Sequence, residues 1–239
     1  MKRIIMLFIR CALFVPGWYI SLVKHGNLEK YDETSRYNCV RKITRRVLKS
    51  SRVTIECFGL ENIPKENGFI MFPNHQGLFD ALMFLNTCDK PFSVVCKKEV
   101  RNIKLLRRVF DALDVLTMDR EDVRQSMKVI IEMSNQVKAG RNFVVFAEGT
   151  RSREGNKILP FKGGTFKAAT KANCPIVPVA LINSFKPFDE NNIKKCTTHI
   201  HYLPPIYPEE YSGLKTTEIA QMVHDRIEEE IGRCLSWEN

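Results

Sequence analysis

Short, almost entirely apolar runs that alternate with longer amphipathic stretches constrain the fold of this chain more than any other feature. A run of about four to eight apolar residues is typical of a β-strand that is covered on both faces. Residues 122–138 and 219–235 instead place their apolar side chains at helical spacing. The alternation predicts an α/β layered fold, with a mostly buried mixed sheet flanked by helices. The predicted buried strands are residues 68–72, 92–96, 114–118, 143–147 and 176–182, and residues 52–58 alternate as a half-exposed strand does.

The net charge of the chain limits the kinds of partner that it can bind. Lys and Arg number 37 against 27 Asp and Glu, and the formal net charge of +10 indicates an anionic partner. Nucleic acid, an anionic membrane surface and a phosphorylated small substrate all fit that charge. Nucleic-acid binders usually combine a basic stripe with interleaved aromatic residues, or carry a recognised reading motif, and this sequence has neither. We therefore expect no nucleic-acid partner.

Residues 1–50 differ in character from the rest of the chain. An apolar stretch over residues 4–23 contains Arg10, and a charge near the middle of a membrane span is costly. We expect a break at Pro16-Gly17 that leaves two short apolar pieces, followed by a basic amphipathic helix over residues 36–49. Such helices favour anionic lipid surfaces, although a solvated helix packed on the domain has the same pattern. The sequence thus predicts a membrane-associating segment of residues 1–50 before a domain of residues 51–239, at the cytoplasmic face of the cell membrane.

The loops that follow the predicted strands hold the candidate chemistry. His75 follows residues 68–72, and Asp80 stands five positions later, across a glycine that permits a turn. A carboxylate bound to one imidazole nitrogen leaves the other nitrogen to take a proton. Taken alone, the pair is equally typical of a core histidine and a helix-capping aspartate.

Two further loops place arginines after strands. Arg120 follows residues 114–118, where it is either a surface charge or an anion-binding guanidinium. The segment 148–153 follows residues 143–147 and offers hydroxyl, backbone N–H and cationic groups to a phosphate, without the spacing of a Walker loop.

The histidines and cysteines outside these loops are not predicted to form a metal site. His199 and His201 alternate on a predicted strand and are interpreted as structural or surface histidines. The eight cysteines show no C-x-x-C pair and no zinc-finger spacing, so we expect free thiols in a reducing cytoplasm and no metal site.

Six sequence blocks, in this order, resemble the glycerolipid acyltransferases of the 1-acylglycerol-3-phosphate acyltransferase type. The H-x4-D and E-G-T-R-S blocks are specific in combination, although each is weak alone. The lysine block departs from the common pattern at Cys96 and Val100, and LTMDR stands where an F-I-D-R-like form is common, which bears on acceptor preference. The blocks are NHQGLFD (74–80), CKKEV (96–100), LTMDR (116–120), FAEGTRS (146–152), PFKGG (160–164) and CPIVPVAL (174–181).

The resemblance implies an enzyme that transfers a fatty acyl group from acyl-ACP or acyl-CoA to the sn-2 hydroxyl of 1-acyl-glycerol-3-phosphate (lysophosphatidic acid). The product is phosphatidic acid, and the reaction needs neither a cofactor nor a metal. His75 is implied as general base and Asp80 as the acid that orients it. The implied substrate-binding residues are Lys97, Arg120, Glu148, Gly149, Thr150 and Arg151.

Two alternatives remain open from the sequence. The acceptor is another lysolipid in the first, such as a lysophospholipid with a larger head group or an ornithine lipid. In the second the chain is a non-enzymatic basic lipid-binding protein. Acyl-chain length, the choice of donor and the oligomeric state are not encoded in these motifs.

Overall fold

A computed structural model describes residues 1–119 and 122–237, in which a seven-stranded mixed sheet lies between two layers of helices. This architecture confirms the predicted α/β layered fold. The strands are β1 (Val53–Phe58), β2 (Ile70–Pro73), β3 (Ser93–Lys97), β4 (Leu116–Met118), β5 (Phe143–Val144), β6 (Ile176–Ile182) and β7 (Cys196–Tyr202). The helices are α1 (Lys2–Cys11), α2 (Val15–His25), α3 (Glu33–Ser51), α4 (Asp80–Thr87), α5 (Lys104–Leu113), α6 (Val123–Lys138), α7 (Lys167–Ala172), α8 (Lys186–Asp189), α9 (Pro208–Tyr211) and α10 (Thr216–Trp237).

The sheet has the order β1-β7-β6-β2-β5-β3-β4. Strands β6, β2, β5, β3 and β4 run parallel, whereas β7 pairs antiparallel with β6 and parallel with β1. Parallel neighbours end at the same edge of a sheet, and loops at that carboxyl edge commonly hold binding sites in α/β proteins. The loops after β2, β3, β4 and β5 therefore lie along one edge.

Two apolar layers cover the sheet, one on each face. Side chains of α6, α7 and α10 pack on one face, for example Ile130 and Val223 against Ile70. Side chains of α3, α4 and α5 pack on the other, for example Tyr37 and Phe84 against Met71. Burial on both faces explains why the sequence of these strands is nearly all apolar.

Two of the predicted strands are shorter than their apolar runs. The run 143–147 forms a strand only over Phe143–Val144, because the chain then turns: the Gly149 N–H donates to the Phe146 carbonyl at 3.1 Å. The run 114–118 begins its strand at Leu116, because Asp114 adopts a left-handed conformation that ends α5.

The N-terminal segment is helical on both sides of a 3₁₀ turn at Ala12–Phe14. The predicted break at Pro16-Gly17 is wrong, because Pro16 lies in the first turn of α2, where a missing N–H costs no hydrogen bond. Residues Lys2–His25 are together long and apolar enough to cross a membrane, by length and composition. The large apolar side chains exposed along this stretch are Met1, Ile5, Phe8, Ile9, Leu13, Phe14, Tyr19, Ile20 and Val23.

Arg3 anchors α1 to the domain. Its guanidinium is buried and donates to the carbonyls of Pro187 at 2.8 Å, Ser51 at 2.7 Å and Lys194 at 2.6 Å. Arg10 of the same helix is exposed, and among the described contacts it donates only to the Ser50 carbonyl. A single buried cation thus joins three separate segments of the chain to the first turn of α1.

The basic helix α3 differs from the uniformly cationic face that the sequence predicts. Arg36 and Arg41 are buried, and they donate to the carbonyls of Ala112 and Leu85 near the ends of α5 and α4. The last carbonyls of a helix lack partners within the helix and carry partial negative charge, which explains this use of arginine. The exposed cations of this helix's basic cluster are Lys42, Arg45, Arg46 and Lys49.

We expect Arg3→Ala to lower the free energy of unfolding by about 2–4 kcal/mol, because three carbonyls, two of them in buried hydrogen bonds, lose a charged donor. Urea unfolding in detergent, followed by circular dichroism, measures the loss. Arg10→Ala is the matched control, and it should cost less than about 1 kcal/mol because its side chain is exposed. Equal losses in the two variants would contradict the anchoring role.

Candidate active site

His75 and Asp80 meet at the carboxyl edge of the sheet. β2 ends at Pro73, and α4 begins at Asp80, so that the turn between them brings the two side chains together. Asp80 Oδ2 lies 2.7 Å from His75 Nδ1. The Asp80 carboxylate is buried and also accepts hydrogen bonds from the backbone N–H groups of Gln76 and Gly77. Asp80 therefore orients the imidazole and fixes the turn that precedes α4. The alternative role of a helix cap is wrong, because Phe79 is the N-cap residue of α4 and no side chain among the described residues caps this helix.

The imidazole is held in one orientation with a defined tautomer. Because Nδ1 donates its proton to Asp80, Nε2 carries the lone pair that can take a proton. Phe146 packs on the ring with the centroids 4.1 Å apart, and the His75 side chain is 23% exposed. A base that is oriented by a carboxylate, covered on one face and still reachable is suited to removing a proton from a bound hydroxyl.

Gly77 allows the His75 loop to lie directly against the loop after β6. A Cβ atom at this position would stand 3.3 Å from the Ser184 carbonyl oxygen and 3.4 Å from the Phe185 Cα. Both neighbours are backbone atoms, so that a side chain here would push the two loops apart.

Buried amide side chains around this loop form a part of the site that the sequence motifs did not single out. Gln76 donates to Asn156 Oδ1 at 2.9 Å and accepts from Ser184. Asn74 exchanges two hydrogen bonds with the backbone of Leu181. Amide residues beside apolar sequence are the feature of the sequence that could have indicated these contacts, because buried amide side chains are usually hydrogen-bonded. These contacts fix the His75 loop to β6.

Glu148 links the loop after β5 to the backbone of His75. One carboxylate oxygen accepts the His75 N–H at 2.6 Å, and the other accepts the Leu159 N–H at 3.3 Å. Burial raises the pKa of Glu148 to about 7, against hydrogen bonds from His75 and Leu159 that lower it. In return, the Ser152 N–H donates to the His75 carbonyl at 2.9 Å. Glu148 faces the backbone of the loop and serves to order it.

The predicted phosphate-binding residues lie along the same edge. Lys97 is the last residue of β3, and its partly exposed side chain lies 3.4 Å from Glu99. Gly149 is buried with φ +75°, Thr150 is exposed and Arg151 is half-buried, next to Ser152 and its bond to His75. Arg120 lies outside the described residues. The structure therefore brings Glu148 into contact with the His75 loop and aligns Lys97 and residues 149–151 beside it.

The sequence of this chain is similar to those of several known proteins. It matches the family described as Acyltransferase over residues 54–182, which include all six blocks of the sequence analysis. It is 30% identical over 171 residues to the 1-acyl-sn-glycerol-3-phosphate acyltransferase of Borreliella burgdorferi, covering 71% of this chain and 68% of that protein. It is 29% identical over 178 residues to the protein of the same name from Salmonella typhimurium, covering 74% and 72%.

A solved structure shares the fold over nearly the whole chain. The crystal structure of the 1-acyl-sn-glycerophosphate acyltransferase PlsC from Thermotoga maritima superposes with a TM-score of 0.77 at 22% identity, over 98% of each chain. The covered length includes the N-terminal helices as well as the sheet.

The raised pKa of Glu148 predicts a specific dependence of stability on pH. The folded chain holds this proton up to about pH 7, whereas the unfolded chain releases it near 4.5, so that the stabilisation present below pH 4.5 is lost as the pH rises to 7. Glu148→Gln removes this titration. The free energy of unfolding of the wild type minus that of the variant should fall by on the order of 2 kcal/mol between pH 4.5 and 8.

Urea unfolding at four pH values measures this difference. Glu154→Gln changes an exposed carboxylate of the same loop and is the control for the loss of a carboxylate. A difference for Glu148→Gln that does not change with pH would contradict the burial of this carboxylate.

Proposed function

The chain belongs to the Acyltransferase family, and from that membership we propose that it transfers a fatty acyl group to the sn-2 hydroxyl of 1-acyl-glycerol-3-phosphate, which gives phosphatidic acid for phospholipid synthesis. The acyl donor is a thioester, acyl-ACP or acyl-CoA. The observation that carries the proposal is the buried contact between Asp80 and His75 at the carboxyl edge of the sheet. The names of the relatives from Borreliella burgdorferi and Salmonella typhimurium support the choice of acceptor.

In this reaction His75 acts as a general base. Nε2 takes the proton of the acceptor hydroxyl while the hydroxyl oxygen attacks the thioester carbonyl. The C–S bond then breaks, and the proton passes from His75 to the leaving thiolate, so that the new ester and a free thiol are formed. Asp80 holds the tautomer and stabilises the imidazolium between the two transfers. The acceptor alcohol is itself the nucleophile, and neither a cofactor nor a metal enters these steps.

The loops beside His75 would hold the glycerol phosphate. Lys97, Arg120 and Arg151 supply positive charge and Thr150 supplies a hydroxyl donor, while Gly149, with φ +75°, allows the turn that places Thr150 and Arg151. Glu148 keeps the loop that carries them in register with the His75 backbone. Holding the phosphate fixes the free hydroxyl beside Nε2, and such orientation can lower a barrier by several kcal/mol.

The N-terminal segment would bring the enzyme to its lipid substrate. The exposed apolar side chains of α1 and α2 and the exposed cations of α3 favour an anionic lipid surface. Arg3 donates to carbonyls of the domain and Arg10 donates to the Ser50 carbonyl of α3, which supports a segment that lies on the bilayer more than one that spans it. We therefore place the protein on the cytoplasmic face of the cell membrane as a peripheral or monotopic protein.

We expect His75→Ala to reduce acyl transfer at least about 100-fold while the chain still folds, because the base is lost and the loop is held by backbone contacts. The assay uses purified protein with lysophosphatidic acid, a lysophospholipid with a larger head group and an ornithine lipid, each with both donors. His224→Ala on α10 is the control and should retain full turnover. Normal turnover in His75→Ala would rule out this reaction at this site, and no turnover by the wild type with any pair would favour a lipid-binding protein.

We expect the double variant Ile9→Asp with Leu13→Asp to bind anionic vesicles at least about tenfold more weakly, because two exposed apolar side chains no longer enter lipid. Co-sedimentation with vesicles across a salt series measures the binding. Val123→Asp is the matched control, since Val123 is 74% exposed on α6, away from the N-terminal segment. Equal binding by all three proteins would contradict the proposed orientation.

A further inference from the structure

Two histidines and a cysteine converge where α10 crosses the outer strands of the sheet. His199 and His201 lie two residues apart on β7 and so share one face, and Cys234 reaches that face from the last turns of α10. One ring nitrogen of each histidine and the Cys234 Sγ all lie within 4.8 Å of one another. Cys234 Sγ is 3.9 Å from His201 Nε2, and both of these residues are buried.

A carboxylate lies beside each imidazole. Glu230 Oε1 lies 2.6 Å from His201 Nδ1 and thereby turns Nε2 of that ring toward Cys234. Glu56 Oε2 lies 3.4 Å from His199 Nδ1, and the two residues face each other in the parallel pairing of β1 with β7. Histidines that bind metals usually donate their other ring N–H to a carboxylate, which orients the ring and makes it a better ligand.

We propose that His199, His201 and Cys234 bind a Zn²⁺ ion. Two imidazoles with one thiolate form a donor set that favours zinc over the hard cations Mg²⁺ and Ca²⁺. Tetrahedral zinc with its usual bond lengths places such ligand atoms about 3.5 Å apart. The Cys234–His201 spacing of 3.9 Å is close to this value, and the other spacings, of at most 4.8 Å, need a contraction of at most about 1.3 Å by side-chain rotation. Water or the Glu56 carboxylate completes the fourth position.

The charge around the three ligands fits a bound cation. Zn²⁺ with one thiolate and two neutral imidazoles leaves one net positive charge, and Glu230 and Glu56 contact the ligands. Glu230 is also paired with Arg233 on the same helix, and its Oε1 lies 2.6 Å from both Arg233 Nη2 and His201 Nδ1, so that the carboxylate is held in place.

The proposed ion has a structural role that is separate from the reaction at His75. It would join the end of α10 to β7, and through Glu56 to the edge strand β1. Because an ion that binds only the folded chain stabilises it, zinc should raise the midpoint of thermal unfolding. The motif spacing did not indicate this site, because Cys234 is far from His201 in sequence and only the crossing of α10 over the sheet brings them together.

The test uses the full chain without a histidine tag, reduced and stripped of metal by a chelator. We expect one equivalent of Co²⁺ to give the charge-transfer band of a thiolate ligand and the intense visible bands of tetrahedral cobalt, and Zn²⁺ to displace it, while Mg²⁺ does not. Cys234→Ser should abolish the thiolate band and weaken Zn²⁺ binding at least about 100-fold. Glu230→Gln should weaken it by about 10- to 100-fold, as loss of a supporting carboxylate typically does.

Two matched variants separate this site from its neighbours. Cys196→Ser changes a cysteine of the same strand, and His224→Gln changes a second group of potential ligands formed by His224, Asp225 and Glu228. Both should bind Zn²⁺ as the wild type does. Loss of binding in either variant with normal binding in Cys234→Ser would overturn the proposal, and so would the absence of saturable binding at one equivalent.

X-ray absorption of the zinc-loaded wild type decides the question if Cys234→Ser does not fold. One sulfur and two imidazole ligands are expected, whereas a coordination sphere without sulfur would refute the assignment.

Discussion

The loop that carries His75 is held through its own backbone, and the site depends on that restraint. The His75 N–H donates to Glu148 and its carbonyl accepts from Ser152, so that one residue of the loop after β2 is bound on both sides by the loop after β5. The two strands are adjacent and parallel, and their positions are fixed by apolar layers on both faces of the sheet. The apolar core thus fixes the positions of the strands, and the strands fix the positions of the loops that follow them. The hydrogen bonds between these loops in turn fix the orientation of the imidazole.

Much of this arrangement can be predicted from the sequence. Apolar runs indicate buried strands, and the loops that follow parallel strands lie together at the carboxyl edge of the sheet. The pair His75 and Asp80 and the loop 148–151 belong to this predictable part. The amide contacts of Gln76 with Asn156 and Ser184 do not, since they join three loops that are distant in sequence. The apolar pattern also does not predict where β4 begins or where β5 ends. These limits depend on the left-handed Asp114 and on the turn before Gly149, which are formed by local hydrogen bonds.

The positive charge of the chain is divided between two physical tasks. Arg3, Arg36 and Arg41 are buried and neutralise carbonyl groups, several of them at helix ends, where a guanidinium reaches more than one acceptor. Lys42, Arg45, Arg46 and Lys49 remain exposed on α3. A count of cations in the sequence cannot separate these tasks, because the burial of a side chain depends on which elements pack against its helix. Only the packing of α3 against α4 and α5 distinguishes them.

The anchoring of Arg3 has a geometric consequence for the whole molecule. Arg3 binds the Pro187 carbonyl of α8, the next residue, Phe188, contacts the Phe79 ring edge-on, and Phe79 immediately precedes Asp80. One hydrogen bond, one ring contact and two peptide bonds therefore connect the first turn of α1 to the start of α4. A displacement of α1 relative to the sheet would have to break the hydrogen bond of Arg3 or disturb the contact between Phe188 and Phe79. The second of these borders the residue that orients the imidazole, so the position of α1 and the geometry of the His75 site are physically coupled.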